Sequence, residues 1–598
     1  MLAWAVPLRY YRAQGVPVLR TATATENPVA LRRRRMWFVA FLFVVALCVR
    51  IQRAYLQPVV NPDCIRFVLQ AKELPVNPLM AVRKEVYHPL QSVCGLLVHT
   101  LFVRPLLGAG RRGWLISMQT VGIVAGAVVA VLLIELARRL GAPWWAACVA
   151  AVAFTVGRRT SGYGADGISD MLFLMFFTAA LLAGMRTRLQ WRPAGWILAG
   201  VLTGFSYLTR PEGVAAVMIL TGALFFRWTQ VLGPKAQRWP RAPFWRPNGR
   251  ATFLRCASLM LAAYFVIGLP YMIAIGGFTG KKPLLKDVDK VQVAPLALPR
   301  VGPAMVAVKR PTMATLAVVR PEIWGKIWQE VFETFGFGPF IVLGIAVALK
   351  PKVWAWPHWR PMCAVWAALW ITVMAWLLER AKYLDGRHTL VLDLLLFCFF
   401  AMSLDVWRWA MGNWQKAWVR RGWIEKMPKF AGWVYLPEAT AFSLAVLAAT
   451  PGAVRLDLPP VEGLDFMRNA ARWLHQHAAR DVVVADNQRL LGYYSGLGYM
   501  YWMGRPGKPL FAELKDAKPG TPLIIDYIFE TQRNGDVPNH FGPYRELMWK
   551  GRPVLFRSHA SAHDDVLVLY ALPGAPVLKT PVLRTRPTTA GVAQGKKK

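Results

Sequence analysis

The chain has 598 residues, of which 55% are hydrophobic, 12% aromatic and only 17% charged. A soluble domain of ordinary composition carries about 25% charge, so a soluble enzyme, a disordered chain and a collagen-like fibre are excluded and a polytopic membrane protein is predicted. The 72 Lys and Arg against 32 Asp and Glu give a formal net charge of +40, but they fall in short blocks between apolar runs, as in loops facing anionic lipid rather than a nucleic-acid surface.

Residues 1–35 form a basic segment ending in Arg32, Arg33, Arg34 and Arg35, predicted to stay in the cytoplasm. The apolar run 36–49 follows without a small-residue cleavage site and reads as an uncleaved signal anchor. Further spans are predicted near 114–137, 144–157, 170–185, 194–209, 212–226, 254–278, 331–349, 362–379, 388–407 and 430–450. With the anchor they make about eleven, so the two termini lie on opposite faces of the cell (inner) membrane, the C-terminal region outside the cytoplasm. The basic stretches 227–255 and 407–430 then face inward, as the positive-inside rule requires. The stretch 279–326 goes against it, with nine basic and three acidic residues on the outer side. The run HPLQSVCGLLVHTLFV (88–103) is short, and counting it would reverse every later loop. It is read as a helix in the interface or dipping into the bundle.

After residue 450 the pattern changes. Helices are predicted at 463–477 and 487–496, strands at 481–486 and 521–529, and a closing hairpin at 553–558 and 565–572. The expected organisation is a membrane domain over 36–450, a small soluble α/β domain over 451–575 and a basic disordered tail over 576–598. The cysteines are Cys48, Cys64, Cys94, Cys148, Cys256, Cys363 and Cys398. Their odd number and the absence of CxxC argue against a disulfide framework or a thiolate metal site.

Four outer loops hold the residues with chemistry. In NPDCIRF (61–67), Asn61 or Asp63 suits a helix N-cap, and Asp63 also suits a carboxylate open to water. In RRTSGYGADGISD (158–170), Asp170 opens an apolar span and Asp166 lies one turn earlier. Capping is the plain reading, since a carboxylate costs about 2.5–3.5 kcal/mol at the bilayer centre and much less at a span mouth. In YLTRPEG (207–213), Arg210 and Glu212 read either as an internal pair or as a phosphate-binding guanidinium beside an acid. In LLERAKYLDGRHTL (377–390), Glu379, Arg380, Lys382, Asp385, Arg387 and His388 make an ordinary charged turn or present cations to an anion at the membrane surface. GYGADG (162–167) matches GxGxxG but follows no strand, and no Walker, GxSxG or HExxH pattern occurs.

The order of these segments carries a resemblance. NPDCIRF, then HPL (88–90), ISDMLFLMFF (168–177), LTGFSYLTRPEG (202–213) and GRHTLVLDLLL (386–396) resemble the motif series of the GT-C superfamily of polytopic glycosyltransferases. Protein O-mannosyltransferases and lipid A aminoarabinose transferases are the types most resembled, over roughly residues 36–410. The resemblance implies an all-α, GT-C-like membrane domain that moves a sugar from a polyprenyl-phosphate donor to an acceptor hydroxyl or amine on the outer face, with inversion. It casts Asp63 as general base and Asp170 as the second-loop acid. Arg210, Arg387 and His388 become donor-phosphate ligands, and His88, Asp166 and Glu212 supporting residues. The implied partners are the lipid-linked sugar, a protein, lipid or glycan acceptor, and membrane lipid, without nucleic acid. The family often has a second acid beside the first, where this chain has Cys64. No metal or other cofactor is therefore expected, although a divalent ion stays open. The W-W-D-Y-G signature is absent, which argues against en bloc transfer to asparagine. Three other classes remain: a transporter, another lipid-phosphate enzyme such as a ligase or polymerase, and a non-catalytic scaffold with an outer binding domain. No inverted repeat is visible, and the charges gather at one surface rather than at the midplane.

Overall fold

The computed structural model describes residues 28–57, 60–84, 87–187, 191–232, 249–279, 321–349, 359–381, 384–420, 443, 465–478, 482–486, 490–501, 523–529, 554–559 and 566–571. The expected span at 430–450, most of the loops at 227–255 and 279–326, both proposed boundaries of the outer domain and the C-terminal tail lie outside these residues.

The described residues as far as residue 420 lie mainly in helices. The anchor is α1 (Pro28–Leu56), followed by α2 (Pro62–Glu73), α3 (Pro78–Lys84) and α4 (Leu90–Leu107). Then come α5 (Arg111–Leu140), α6 (Trp144–Val156), α7 (Arg158–Ala165), α8 (Asp170–Arg186) and α9 (Pro193–Thr209). A single 3-10 turn, Pro211–Val214, leads into α10 (Ala215–Leu232) and α11 (Gly249–Ile275). The set closes with α12 (Pro321–Phe335), α13 (Phe337–Leu349), α14 (Arg360–Ala381) and α15 (Gly386–Arg420).

Among the described residues six helices are long and apolar enough to cross a membrane: α1, α4, α5, α11, α14 and α15. Counting each of the bent pairs α7–α8 and α12–α13 as one span raises this to eight. The expected eleven is not confirmed among the described residues: the expected span at 430–450 lies outside them, and others are shorter or bent. Helix α6 has 13 residues, about 20 Å of rise against an apolar thickness of about 30 Å. The expected single span over 331–349 is broken at Gly336, whose φ of 93° is open to glycine, and the chain turns there by 110°. Helix α4 has 18 residues, close to the run 88–103 read from the sequence, and passes as a span by length and composition only. Its outer side is exposed Leu97, Leu101, Phe102, Leu106 and Leu107, while Gln91, Ser92, Gly95, His99 and Val103 face inward.

The main core joins α5, α6, α8, α9, α10 and α15. Small residues make it close: Ala146, Ala147, Ala150, Ala151 and Ala153 of α6 are buried there, as packing between membrane helices favours. Helix α15 is central, with 83% of its apolar window buried against 22% for α1. On α12, Ile323, Ile327, Val331 and Phe335 recur every four residues and form its buried stripe.

Towards the C-terminus lie α16 (Asp465–His477), β1 (Val483–Asp486), α17 (Leu490–Ser495), β2 (Gly498–Tyr501), β3 (Leu523–Phe529), β4 (Val554–His559) and β5 (Val566–Ala571). The sheet order is β2-β1-β3-β5-β4, with β1 parallel to β2 and β3, and β5 antiparallel to β3 and β4. The elements expected from 463 to 572 occur within three residues of their limits. Strand β2 was not foreseen, because it directly follows the Gly496 turn and has only four residues.

Candidate functional site

The site begins at the entry to α2. Asn61 is the N-cap, and its Oδ1 accepts the Asp63 backbone N–H at 3.0 Å. Pro62 occupies the first helical position, where no N–H is needed. Capping therefore falls to Asn61, and the Asp63 carboxylate is turned to other partners. Tyr87 donates its hydroxyl to Asp63 Oδ1 at 2.7 Å. Arg387, at the start of α15, donates Nη1 to Asp63 Oδ2 at 2.8 Å. Arg66, one turn further along α2, donates to the Tyr87 hydroxyl at 2.9 Å. Phe67 holds the Tyr87 ring edge-on at 5.1 Å. Gln70 fixes the same loop, donating to the carbonyls of Ala81 and Tyr87, and its own oxygen accepts from Ser92.

These contacts set the charge on Asp63. Burial acts against the carboxylate, but Arg387, the Tyr87 hydroxyl and Arg66 outweigh it and hold its pKa below the ordinary value. Burial first, then the adjacent Asp63, keeps Tyr87 protonated as a donor. Cys64 is buried beside Asp166 and Asp63, and burial is the main reason that its thiol stays protonated.

Asp385 continues the network. Its Oδ2 lies 3.5 Å from Arg387 Nε, and its Oδ1 accepts the Tyr163 hydroxyl at 3.0 Å. Asp166, the C-cap that follows α7, is buried, accepts a hydrogen bond from Gln57 and takes the Asn61 backbone N–H. The next residue explains how these loops meet. Gly167 has φ 70°, and a Cβ there would lie 2.7 Å from Cys64 Sγ, so only glycine lets the α7–α8 turn close onto α2.

A second cluster lies at the mouth of α8. Asp170 is 2% exposed and paired with Arg210. Arg210 also faces Glu212 at 3.4 Å and lies 5.7 Å from the Phe173 ring centre. The internal Arg210–Glu212 pair therefore forms, and Asp170 joins it. His388 links the two clusters, since Arg210, Arg387, Glu212 and Asp385 are all within electrostatic range of its ring. His88 lies against α9 and α11. Its Nδ1 is 2.6 Å from the Tyr207 carbonyl and its ring packs on Tyr207 and Tyr271.

Of the eight residues expected from the sequence, Asp63, Asp166, Asp170, Arg210, Glu212, Arg387 and His388 thus gather into one connected region. Tyr87, Arg66 and Tyr163 join it and carry no signal in the sequence, since only their contacts distinguish them. Arg159 extends it outward, with Nη1 on Glu330 at 2.6 Å and Nη2 on Glu333 of α12. Two buried arginines of α1, Arg50 and Arg53, are not among the residues expected from the sequence, although a charge at the end of an apolar run is a signal there. Arg53 donates to Ser161 Oγ and the Arg158 carbonyl, and Arg50 donates to the Ala46 carbonyl. Among the described residues, no group of three or more His, Cys, Asp or Glu converges as a metal site.

No family model matches the chain, and no curated protein matches it. Among solved structures it is similar to the archaeal oligosaccharyltransferase AglB from Archaeoglobus fulgidus in complex with an inhibitory peptide and a dolichol-phosphate. The TM-score is 0.49 at 12% identity, over 78% of this chain and 64% of that one. It is also similar to ArnT from Cupriavidus metallidurans bound to undecaprenyl phosphate, with TM-score 0.49 and 13% identity over 90% and 98% of the two chains. The S. cerevisiae protein O-mannosyltransferase Pmt1–Pmt2 complex bound to the sugar donor follows at TM-score 0.31 and 15% identity, covering 40% of this chain and 34% of that one. All three are GT-C glycosyltransferases, the superfamily that the sequence motifs resemble. The chain spans less than two thirds of the AglB length.

Proposed function

We propose that the protein is a polyprenyl-phosphate-dependent membrane glycosyltransferase of GT-C type, acting on the outer face of the membrane, with Asp63 as general base. One observation carries this reading: an ionised, partly exposed carboxylate, freed from capping by Asn61, is held between a tyrosine hydroxyl and an arginine at a helix start. Asp63 has a side chain 21% exposed, whereas Asp170 is 3% exposed and locked to Arg210. An acceptor hydroxyl or amine coming from water can meet Asp63 far more readily than Asp170.

The chemistry needs little else. The donor's leaving group is a phosphate, which requires charge stabilisation rather than protonation. Arg387 is the proposed first ligand for it, with His388 beside it. A guanidinium offers five donors, so it can serve a phosphate and a carboxylate together. Arg210 already answers two carboxylates, and its proposed part is to fix Asp170 and Glu212 near the donor. Asp63 takes the acceptor's proton as the acceptor oxygen or nitrogen attacks the anomeric carbon from the face opposite the phosphate, inverting it. His88 holds the wall formed by Tyr207 and Tyr271.

The test is Asp63→Asn. Asparagine has about the same shape and leaves the Asn61 cap in place. Transfer is measured with polyprenyl-phosphate sugars extracted from the producing cells' own membranes, following label into acceptor. Loss of a general base costs about 10²–10⁴ in rate. The variant is expected to accumulate normally, retain donor binding and lose turnover on that scale. Near-normal transfer would remove Asp63 as the base.

A further inference from the structure

The C-terminal sheet and helices share one core with the helix that carries Asp63. The second buried cluster holds Val60, Cys64, Ile65, Phe67, Val68 and Ala71 together with Met467, Ala470, Leu474, Val484, Leu490 and Tyr493. Trp114 and Met118 at the start of α5 complete it. Polar contacts fix the seam. Arg111 donates Nη1 to the Tyr493 carbonyl at 2.9 Å and Nη2 to the Gly496 carbonyl at 3.0 Å, while the Tyr493 hydroxyl donates to the Arg111 carbonyl at 3.1 Å.

One contact from α17 reaches the catalytic loop itself. The Val60 backbone N–H donates to the Tyr494 hydroxyl at 3.0 Å. The next N–H, that of Asn61, goes to the Asp166 carboxylate. The Asn61 side chain then accepts the Asp63 N–H, and its carbonyl accepts the Cys64 N–H at 2.9 Å. Consecutive backbone groups ahead of Asp63 are therefore fixed from two sides, by the membrane bundle through Asp166 and by the C-terminal region through Tyr494. Tying the N–H groups of Val60 and Asn61 restricts how this segment turns as it enters the helix.

We propose that Tyr494 is a positioning residue for Asp63: by accepting the Val60 N–H it sets where α2 begins, and so aims the carboxylate at Tyr87 and Arg387. The C-terminal region is on this view a working part of the transferase centre rather than an appendage. The proposal rests on the reading of Asp63 as base. It supplies a role for residues that no motif in the sequence marks.

The test uses the full chain in lipid nanodiscs. Tyr494→Phe keeps the ring, and with it the contact to Tyr493, but loses the hydroxyl. Amide exchange of the peptide covering 57–69 is expected to rise about five-fold, the factor one neutral hydrogen bond is worth. With donor extracted from the producing membranes, kcat should fall about five-fold with KM for donor unchanged. The charged and titratable groups facing Asp63 are Arg387, Arg66, Tyr87 and Cys64, and Asp166 acts on Cys64 from the other side. Looser contact with the first three should move the acid limb of the rate profile to higher pH. Tyr493→Phe cuts a seam contact without touching Val60 and should leave exchange at 57–69 and the acid limb as they were. Unchanged exchange and unchanged limb in a folded Tyr494→Phe would overturn the proposal, as would equal loosening by both variants. An inactive Asp63→Asn beside a fully normal Tyr494→Phe sinks the positioning role and leaves the base standing. An active Asp63→Asn sinks the base, whatever the exchange shows.

Discussion

Replacing Arg387 by Gln removes the charge that lies 2.8 Å from Asp63 while keeping a polar side chain. Burial pulls the Asp63 pKa up and Arg387 is the largest influence pulling it down. The pair is about one fifth exposed on each side, so solvent screening removes only part of its strength. A charge-assisted hydrogen bond is worth about 1.5–3 kcal/mol, and one pH unit corresponds to about 1.4 kcal/mol. The acid limb of the transfer rate should therefore move up by about one to two pH units. The sign follows from the direction of the shift. In the parent, Asp63 stays ionised below the ordinary carboxylate range, and its contribution is lost only as pH falls through that lowered value. Without Arg387, protonation sets in at higher pH. Arg387→Lys keeps the charge and should bring most of the limb back. The rate on the plateau also reports donor binding, but the limb is a pH and the plateau a rate, so the two effects separate. A limb that stays in place while Arg387→Gln still turns over would refute the reasoning.

Other outcomes follow from the same geometry. Arg210→Met leaves Asp170 buried without its cation, and breaking a buried pair costs about 3–5 kcal/mol; thermal unfolding in detergent should show a large loss for Arg210→Met and a small one for Glu212→Gln. Gly167→Ala meets Cys64 Sγ at 2.7 Å and places a side chain at φ 70°, and should cost about 1–3 kcal/mol. Cys64→Ala in the same chain should recover part of that loss but not all, because the backbone strain remains; full recovery would show that only the sulfur contact mattered. Treatment with EDTA should leave transfer unchanged, since Arg387 supplies the positive charge beside Asp63; loss of transfer restored by a divalent salt would reverse that expectation.

Much of the architecture was legible because apolar runs and charged span ends are local signals. What failed were features set by contact or strain. The run 331–349 looks continuous in composition, and only the left-handed Gly336 shows that two helices meet there. Asp63 and Arg387 stood out singly as charges at helix starts, but their pairing joins residues 324 positions apart. No periodicity encodes such a contact. Tyr87 and Tyr494 were invisible for another reason, since tyrosines at membrane surfaces are common and only their hydroxyl partners distinguish these two. The GYGADG segment follows no strand and lies largely in α7 (Arg158–Ala165). Its glycines have a use: Gly164 leaves room for the buried Arg50, and Gly167 lets the turn reach Cys64.

The charges of the two clusters lead to a last prediction. In each cluster a guanidinium lies between two carboxylates: Arg387 between Asp63 and Asp385, and Arg210 between Asp170 and Glu212. Arg66 adds a further cation acting on Asp63. A lipid phosphate approaching Arg387 competes with Asp63 and Asp385 for the same donors. Removing one carboxylate should then tighten the binding of an anionic lipid, the reverse of what removing an arginine does. Asp385→Asn suits the test, because asparagine can still accept the Tyr163 hydroxyl, and the backbone carbonyl that accepts the His388 N–H is untouched. Asp385 has a side chain 33% exposed and its contact with Arg387 is 3.5 Å, the range where a pair is worth about 0.5–1 kcal/mol. Binding of undecaprenyl phosphate, titrated into nanodisc-held protein and followed by thermal shift, should strengthen about two- to five-fold in Asp385→Asn. The gain should shrink as salt is raised, because the contact is partly screened. Weaker binding in Asp385→Asn would mean that Asp385 orients Arg387 more than it competes for it, and the proposed entry of the phosphate at Arg387 would have to be abandoned.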